Sequence, residues 1–361
     1  MMNLLAIVAI VFQLYALVML WIALQTFRKR VSKPGTELPT VSVLLPFRNE
    51  AANLAPLIAA LDASELQQFI FIDDASDDEG AAMVKAAADQ DQRFQLCSAQ
   101  SAGKKHALRE GLKHANGDVI LTLDADVHLT PGWLARMQEN LRKHPSTLWI
   151  YPVLIERPMR FRERFEALDV LSLTASTQAF AKSGNAIMAS GAALAVQREF
   201  YAEAIDQLRH EMASGDDVFL VHYATRLKKP VYVADEPEDV VFVAPQADWK
   251  SFLMQRIRWG QKSTSYRNTL ALFTAVMVLL TNVLFLAVLG IFLFTGHPLA
   301  LLLMAGKIIA DAFAVFPTAL RLKQLHLLPM LLPMSVLYPL YIASSGLGGF
   351  FIRPIWKGRK I

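Results

Sequence analysis

The sequence predicts an α/β domain built on a mostly parallel sheet and clasped between membrane-spanning helices. Three observations carry that expectation. Apolar residues make up 54% of the 361, and the mean hydropathy is +0.32, above what a soluble domain of this charge carries. The excess is concentrated at residues 3–25 and 270–352, whereas 40–268 read as ordinary globular sequence. Within that middle part short apolar runs alternate with helical periodicity, as parallel strands joined by crossover helices require.

The run LLAIVAIVFQLYALVMLWIAL is long enough to cross a bilayer. It is longer than a signal-peptide core and lacks a basic leader or small-residue cleavage site, so 1–26 is expected to be a retained anchor. Arg28, Lys29, Arg30 and Lys33 follow in a basic linker, 27–39. By the positive-inside rule they put the globular part in the cytoplasm. Further spans are expected at 270–294 and 299–320, the latter followed by Arg321 and Lys323. The stretch 327–352 carries Pro329, Pro333, Pro339, Gly346, Gly348 and Gly349, which a lipid-facing helix tolerates poorly. Its basic tail, 353–361 with Arg353, Lys357, Arg359 and Lys360, favours the cytoplasm. A re-entrant hairpin is therefore expected slightly ahead of a plain crossing.

Between the anchors, VSVLLP at 41–46 reads as a buried strand. Asn49 is positioned to cap a helix that carries Leu54, Leu57, Ile58 and Leu61 on one face. QQFIFIDDAS is a second strand, Glu79–Asp89 and Gly103–Ala115 are helices, and DVILTLDADV is another strand ending in acids. Ligands of open α/β sheets bind at the carboxyl ends of strands, so Asp73, Asp74, Asp124 and Asp126 are expected to converge. Four acids at one edge repel unless a cation joins them. Asp77 and Asp78 read as solvated or capping residues. The basic, amphipathic stretches Trp249–Tyr266 and FRERFEALDVLSL from Phe161 suit a membrane interface, with core packing the alternative for the second. Lys307 and Asp311, four apart within a span, are expected to pair or to face protein.

The net charge of +4 and pI near 9.1 owe much to basic residues beside the spans, which points to anionic headgroups and not to nucleic acid. Cys97 is the single cysteine; it excludes a disulfide or zinc framework within the chain and fits a reducing compartment. No Walker-type phosphate loop or GxSxG elbow is present, and GLGG at 346–349 follows no strand.

Six short motifs in fixed order carry a family resemblance: PFRNE (Pro46–Glu50), DDASDD (Asp73–Asp78), GKKHAL (Gly103–Leu108), DAD (Asp124–Asp126), GDD (Gly215–Asp217) and QRIRW (Gln255–Trp259). The chain resembles the family 2 glycosyltransferases, in particular membrane-embedded members related to ceramide glucosyltransferase and to cellulose, hyaluronan and poly-N-acetylglucosamine synthases. The resemblance implies a GT-A (Rossmann-like) domain at 40–245, an amphipathic segment with QRIRW at 246–268 and a membrane region at 269–352. It implies Mg²⁺ or Mn²⁺ on Asp126, with Asp124 nearer the ribose or the metal waters; hard carboxylate oxygens suit either ion. Asp73 or Asp74, with Pro46 and Glu50, resembles the pocket that reads uracil and ribose. Lys104, or Lys105 if the register differs, matches a lysine near the donor.

Asp217 corresponds to the general base that takes the acceptor proton, and Asp216 stands where Glu is usual, beside the acceptor. Arg258 offers a planar cation for a diphosphate, Trp259 a flat face for a sugar, and Gln255 a hydrogen bond. Ser190 and Gly191 fall where the family lines the acceptor site with small residues. The implied activity is inverting transfer from a nucleotide sugar, UDP-linked by preference, to a membrane lipid at the cytoplasmic face of an integral membrane protein. Synthesis of a β-linked polysaccharide on a growing glycan, with a partner membrane subunit, is the second reading. Nucleotidyl transfer and a non-catalytic scaffold are more distant ones.

Overall fold

A computed structural model describes residues 2–28, 34–208, 215–263, 266, 268–351, 355–356 and 359–360. Lys29, Arg30 and Lys33 of the basic linker and Arg353 and Lys357 of the tail lie outside the described residues. The chain forms two compact units. One comprises Lys29–Glu156, Ala181–Ala244 and Ile355–Ile361; the other comprises Met1–Arg28, Arg157–Phe180 and Pro245–Pro354.

The first unit is built on seven strands. Strands β1 (Val41–Phe47), β2 (Gln68–Asp73), β3 (Phe94–Ser98) and β4 (Val119–Leu123) are mutually parallel in the order β3-β2-β1-β4. β1 is buried at every position, the pattern of a central strand covered on both faces. Beyond β4 come β8 (Ala193–Gln197), β6 (Leu148–Ile150) and β9 (Val231–Val233). β8 is antiparallel to both β4 and β6. That one reversal positions the site: Leu123 at the end of β4 pairs with Ala193 at the start of β8, so the segment before β8 arrives at the acid-bearing edge.

The helices of this unit are α2 (Ala51–Asp62), α3 (Gly80–Gln90), α4 (Lys104–Leu112), α5 (Trp133–Lys143), α7 (Arg198–Ile205) and α8 (Asp216–Arg226). A small sheet sets β10 (Val241–Val243) between β5 (Val127–Leu129) and β7 (Val153–Ile155). Val43, Leu45, Phe69, Phe71, Leu121 and Trp133 form the core, each large side chain contributing about 1.5–3 kcal/mol by leaving water. α4 presses on the sheet at Gly111, where a Cβ would lie 2.8 Å from Ile72 Cδ1. Asn49 does not cap α2: it sits at φ +52° and its Oδ1 accepts from the Asp77 N–H. Asp78 takes over, accepting from Ala51 N at 2.8 Å and Gly80 N at 3.0 Å, so one carboxylate serves two helix starts.

The second unit holds α1 (Met2–Thr26), α9 (Trp249–Ser263), α10 (Thr269–Thr295), α11 (Pro298–Arg321), α12 (Leu331–Phe351) and most of α6 (Phe161–Lys182). Among the described residues four helical stretches, Leu5–Thr26, Thr269–Thr295, Pro298–Arg321 and Leu325–Ser345, are long and apolar enough to cross a membrane. The last begins with a 3₁₀ turn, Leu325–Met330, and continues as α12 without reversing, with Pro339 in its interior. The described part of the 327–352 block, to Phe351, is therefore helical and not a hairpin. Lys307 Nζ lies 2.7 Å from Asp311 Oδ2; Asn282 Oδ1 accepts from that ammonium and Tyr15 donates to Asp311, so polar groups of α1, α10 and α11 satisfy one another.

From Phe165 onward the stretch packs as core, whereas Phe161 itself is exposed. Phe165, Leu168, Leu171, Glu166 and Asp169 are all buried. The acids that give it an amphipathic look are consumed internally: Glu166 accepts from Gln246 N and Arg162, and Asp169 from Arg256.

Candidate active site

The site is assembled at the carboxyl ends of β1, β2 and β4. Pro46 is buried in β1, and beyond it Arg48 Nη1 donates to the Asp74 carbonyl at 2.8 Å. Glu50 precedes α2 half-buried, its Oε2 accepting from Asn53. Asp73 and Asp74 separate here. Asp73 is half-buried and caps its own turn through Ser76 N at 2.9 Å. Asp74 is buried and receives Gly103 N on both oxygens, at 3.0 and 3.1 Å. Gly103 sits at φ +112°, a conformation glycine adopts without strain. Asp74 thus fixes the start of α4, and with it Lys104.

Lys104 Nζ is 2.7 Å from Asp124 Oδ1 and 3.1 Å from Asp216 Oδ2, and it donates to the Gly191 carbonyl at 3.2 Å. Burial pulls the ammonium down, but Asp124, Asp216 and Asp217 more than offset this and hold it well above the usual lysine range. Lys105 is turned elsewhere, over the Phe219 ring. Asp124 N donates to Ala192 O at 3.1 Å, which joins the end of β4 to the Ser190-Gly191-Ala192 segment. Asp126, in the turn before β5, is exposed.

Asp216 and Asp217 open α8, where the exposed N–H groups of the first turn favour negative charge. Asp217 is buried; its Oδ2 accepts from Gly191 N at 3.0 Å and its Oδ1 from Val218 N at 2.7 Å. Gly191 is the crossing point, since a Cβ there would stand 2.9 Å from Lys104 Nζ and 3.5 Å from Asp217 Cβ. Ser190 is half-buried, its Oγ accepting from Ala192 N. On α8, His222 faces the Ile187 carbonyl at 2.9 Å; burial lowers its pKa, while that bond and Asp217 pull the other way. Tyr201 is buried, and burial followed by Asp216 raises its phenol above the usual range.

Five expected residues therefore meet: Lys104, Asp124, Gly191, Asp216 and Asp217. Sequence reasoning missed His222 and Tyr201, which carry no local signal.

Among the described residues no group of three or more His, Cys, Asp or Glu forms a metal cage. The donor set still fits a divalent ion held jointly with a substrate, because Mg²⁺ and Mn²⁺ in nucleotide sites take one or two carboxylates and fill the rest with phosphate oxygens and water. Asp126, exposed, and Asp124, half-buried with one oxygen on Lys104, are the carboxylates that would offer oxygens to such an ion.

In the second unit, α9 carries Gln255, Arg258 and Trp259. Arg258 and Trp259 are half-buried. The neighbouring Arg256 is buried, paired with Asp169 and laid over the Trp259 ring at 4.1 Å from its centroid.

Residues 42–204 match the model of the glycosyl transferase family 2. An undecaprenyl-phosphate 4-deoxy-4-formamido-L-arabinose transferase of Pseudomonas aeruginosa (strain LESB58) is 31% identical over 107 residues, 28% of this chain and 32% of the relative. Its namesake in Salmonella choleraesuis (strain SC-B67) is 35% identical over 104 residues, 27% and 32% of the two chains. The chain thus spans about a third of the length of the curated relatives it matches. Among solved structures, a mannosyltransferase from Pyrobaculum calidifontis in complex with GDP-Man and Mn²⁺ aligns over 96% of this chain and 99% of its own, with a TM-score of 0.56 at 18% identity. That likeness is one of fold.

Proposed function

Because residues 42–204 match the model of the glycosyl transferase family 2, we propose that the protein is a GT-A glycosyltransferase that moves a sugar from a nucleotide sugar to a membrane lipid, with inversion. The observation that carries this reading is the Asp217 carboxylate, held by Gly191 N at 3.0 Å beside the Lys104–Asp124 pair.

The chemistry follows from that placement. The acceptor oxygen attacks the anomeric carbon, its proton passes to Asp217, the new C–O bond forms, and the bond to the diphosphate breaks with its electron pair leaving on the nucleoside diphosphate. A single displacement inverts the anomeric centre. Asp126, with Asp124, would hold a Mg²⁺ or Mn²⁺ ion, which neutralises charge on the leaving diphosphate when bound. Arg258 adds a cationic fork for that group, and Gln255 and Trp259 serve the acceptor. Asp73, with Pro46 and Glu50, reads the base and ribose, with a UDP-sugar preferred; Asp74, committed to Gly103, acts by holding α4.

The four long apolar helices among the described residues, and relatives named for undecaprenyl phosphate, support a lipid acceptor. A lipid hydroxyl fits Asp217 better than a lipid phosphate. A phosphate monoester with a second pKa of about 6 is already mostly ionised at neutral pH and needs no base, whereas a hydroxyl does. Arg28, Arg321 and Lys323 beside the spans support a catalytic unit facing the cytoplasm.

The test is incubation of the protein in lipid vesicles with a panel of labelled nucleotide sugars. Label should move into organic-soluble lipid bearing one or very few sugars. A water-soluble ladder of long chains would overturn the lipid acceptor, and release of pyrophosphate would overturn glycosyl transfer.

A further inference from the structure

We infer that Asp169 and Arg256 are positioning residues that hold Gln255 and Trp259 of α9 in the orientation in which the acceptor meets them. The inference rests on the proposed transfer reaction and deepens it at QRIRW. Neither residue belongs to the Gln-x-x-Arg-Trp pattern itself.

Arg256 links everything on this face of α9. Its Nε donates to Asp169 Oδ2 at 2.7 Å, and its Nη1 donates to Gln255 Oε1 at 2.7 Å. The guanidinium carbon lies 4.1 Å from the Trp259 centroid and 4.8 Å from that of Phe252, so the cation is stacked among rings about one turn to either side of it. Asp169 on α6 is the counter-ion and is buried, as is Arg256. The other buried acid of α6, Glu166, is engaged by Gln246 N at 3.0 Å and Arg162 at 3.3 Å.

Stability alone does not account for this arrangement. A buried ion pair is commonly no more stable than well-packed apolar residues of the same volume, since desolvation opposes the Coulombic gain. Among the described residues Arg256 Nη2 is also buried without a hydrogen-bond partner, a cost that a purely structural site would avoid. What the pair gives is geometry. A planar guanidinium anchored at Nε has its ring-stacking face and its remaining N–H vectors fixed. That fixes the Gln255 amide, through its oxygen, and the tilt of the Trp259 ring.

The experiment uses the full chain in lipid vesicles. Asp169→Asn should raise the acceptor KM at least about tenfold, leave nucleotide affinity unchanged, and lose most of its effect in a Trp259→Ala background, the non-additivity expected of contacting groups. Arg256→Lys keeps the charge opposite Asp169 but loses the planar stack; it should raise the acceptor KM to a similar extent, and it carries the test should Asp169→Asn fail to fold. Asp169→Asn and Trp259→Ala effects that multiply independently, a normal acceptor KM in Arg256→Lys, or parallel loss of nucleotide affinity would overturn the inference. A wild-type protein that transfers no sugar would instead overturn the parent reading, and this one with it.

Discussion

Lys104 Nζ lies 3.1 Å from Asp216 Oδ2 while also touching Asp124 Oδ1 at 2.7 Å. One ammonium from α4 thereby ties the end of β4 to the start of α8. Replacing it by an apolar group leaves two carboxylates at the same spot with no counter-charge between them. Lys104→Met should lower stability by about 1–3 kcal/mol, less than a fully buried pair because Lys104, Asp124 and Asp216 are each partly exposed, and adding Asp216→Asn should restore part of it. Denaturant unfolding in detergent decides, and a Lys104→Met midpoint equal to wild type would contradict the bridging role.

Gly191 is required by space, because the lysine end fills the volume a methyl would need. Lys104 is flexible at that end, so Gly191→Ala should fold with a small change in Tm. Turnover should fall at least about tenfold, as the displaced ammonium no longer sets Asp124 and Asp216 and a small misplacement is costly in catalysis. Turnover near that of wild type would show that this close approach is incidental.

Asp126→Ala should abolish dependence on added Mg²⁺ or Mn²⁺ together with tight binding of the diphosphate donor, since one carboxylate supplies much of the protein's share of such a site. Titration of nucleotide binding with and without metal measures it. Wild-type transfer that persists in excess chelator would remove the metal from the account.

Acid should loosen the first unit through histidine. His222 and His144 are both held below the ordinary value, by burial first in each case. The folded protein therefore binds protons less readily than the unfolded chain, whose histidines titrate at about 6.5. The stability from keeping the rings neutral is complete above that pH and is lost as pH falls through the folded values. Tm should decline between about pH 7 and pH 5, and His222→Gln should blunt the decline. An unchanged slope in that variant would assign the effect elsewhere.

The acids and the lysine were legible because strand ends and helix starts have local signatures: DAD closes an apolar run, GDD opens a helix, and Lys104 follows a glycine. Gly191 carried almost no signal, since its place depends on β8 running antiparallel to β4 and on the Leu123–Ala193 register. No local pattern encodes such a pairing. Asn49 had the right chemistry for a cap and lost to Asp78, which reaches the same N–H from another loop. The α6 stretch was misread because periodicity cannot tell an acid facing headgroups from one facing a buried arginine. Its partner Arg256 is 87 residues away, so the Asp169 contact had no sequence trace beyond acids placed in an apolar helix.

The central claim is that the Asp217 carboxylate takes the proton of a lipid hydroxyl. Asp217→Asn keeps the shape and its one oxygen can still accept from Gly191 N, at the expense of the Val218 N bond, but it cannot take a proton. Transfer to lipid by this variant, measured beside nucleotide affinity in the same vesicles, should fall by at least about a hundredfold with affinity unchanged, the scale of a lost general base. Near-normal transfer by Asp217→Asn would contradict the claim and would point instead to an acceptor, such as a lipid phosphate, that arrives already ionised.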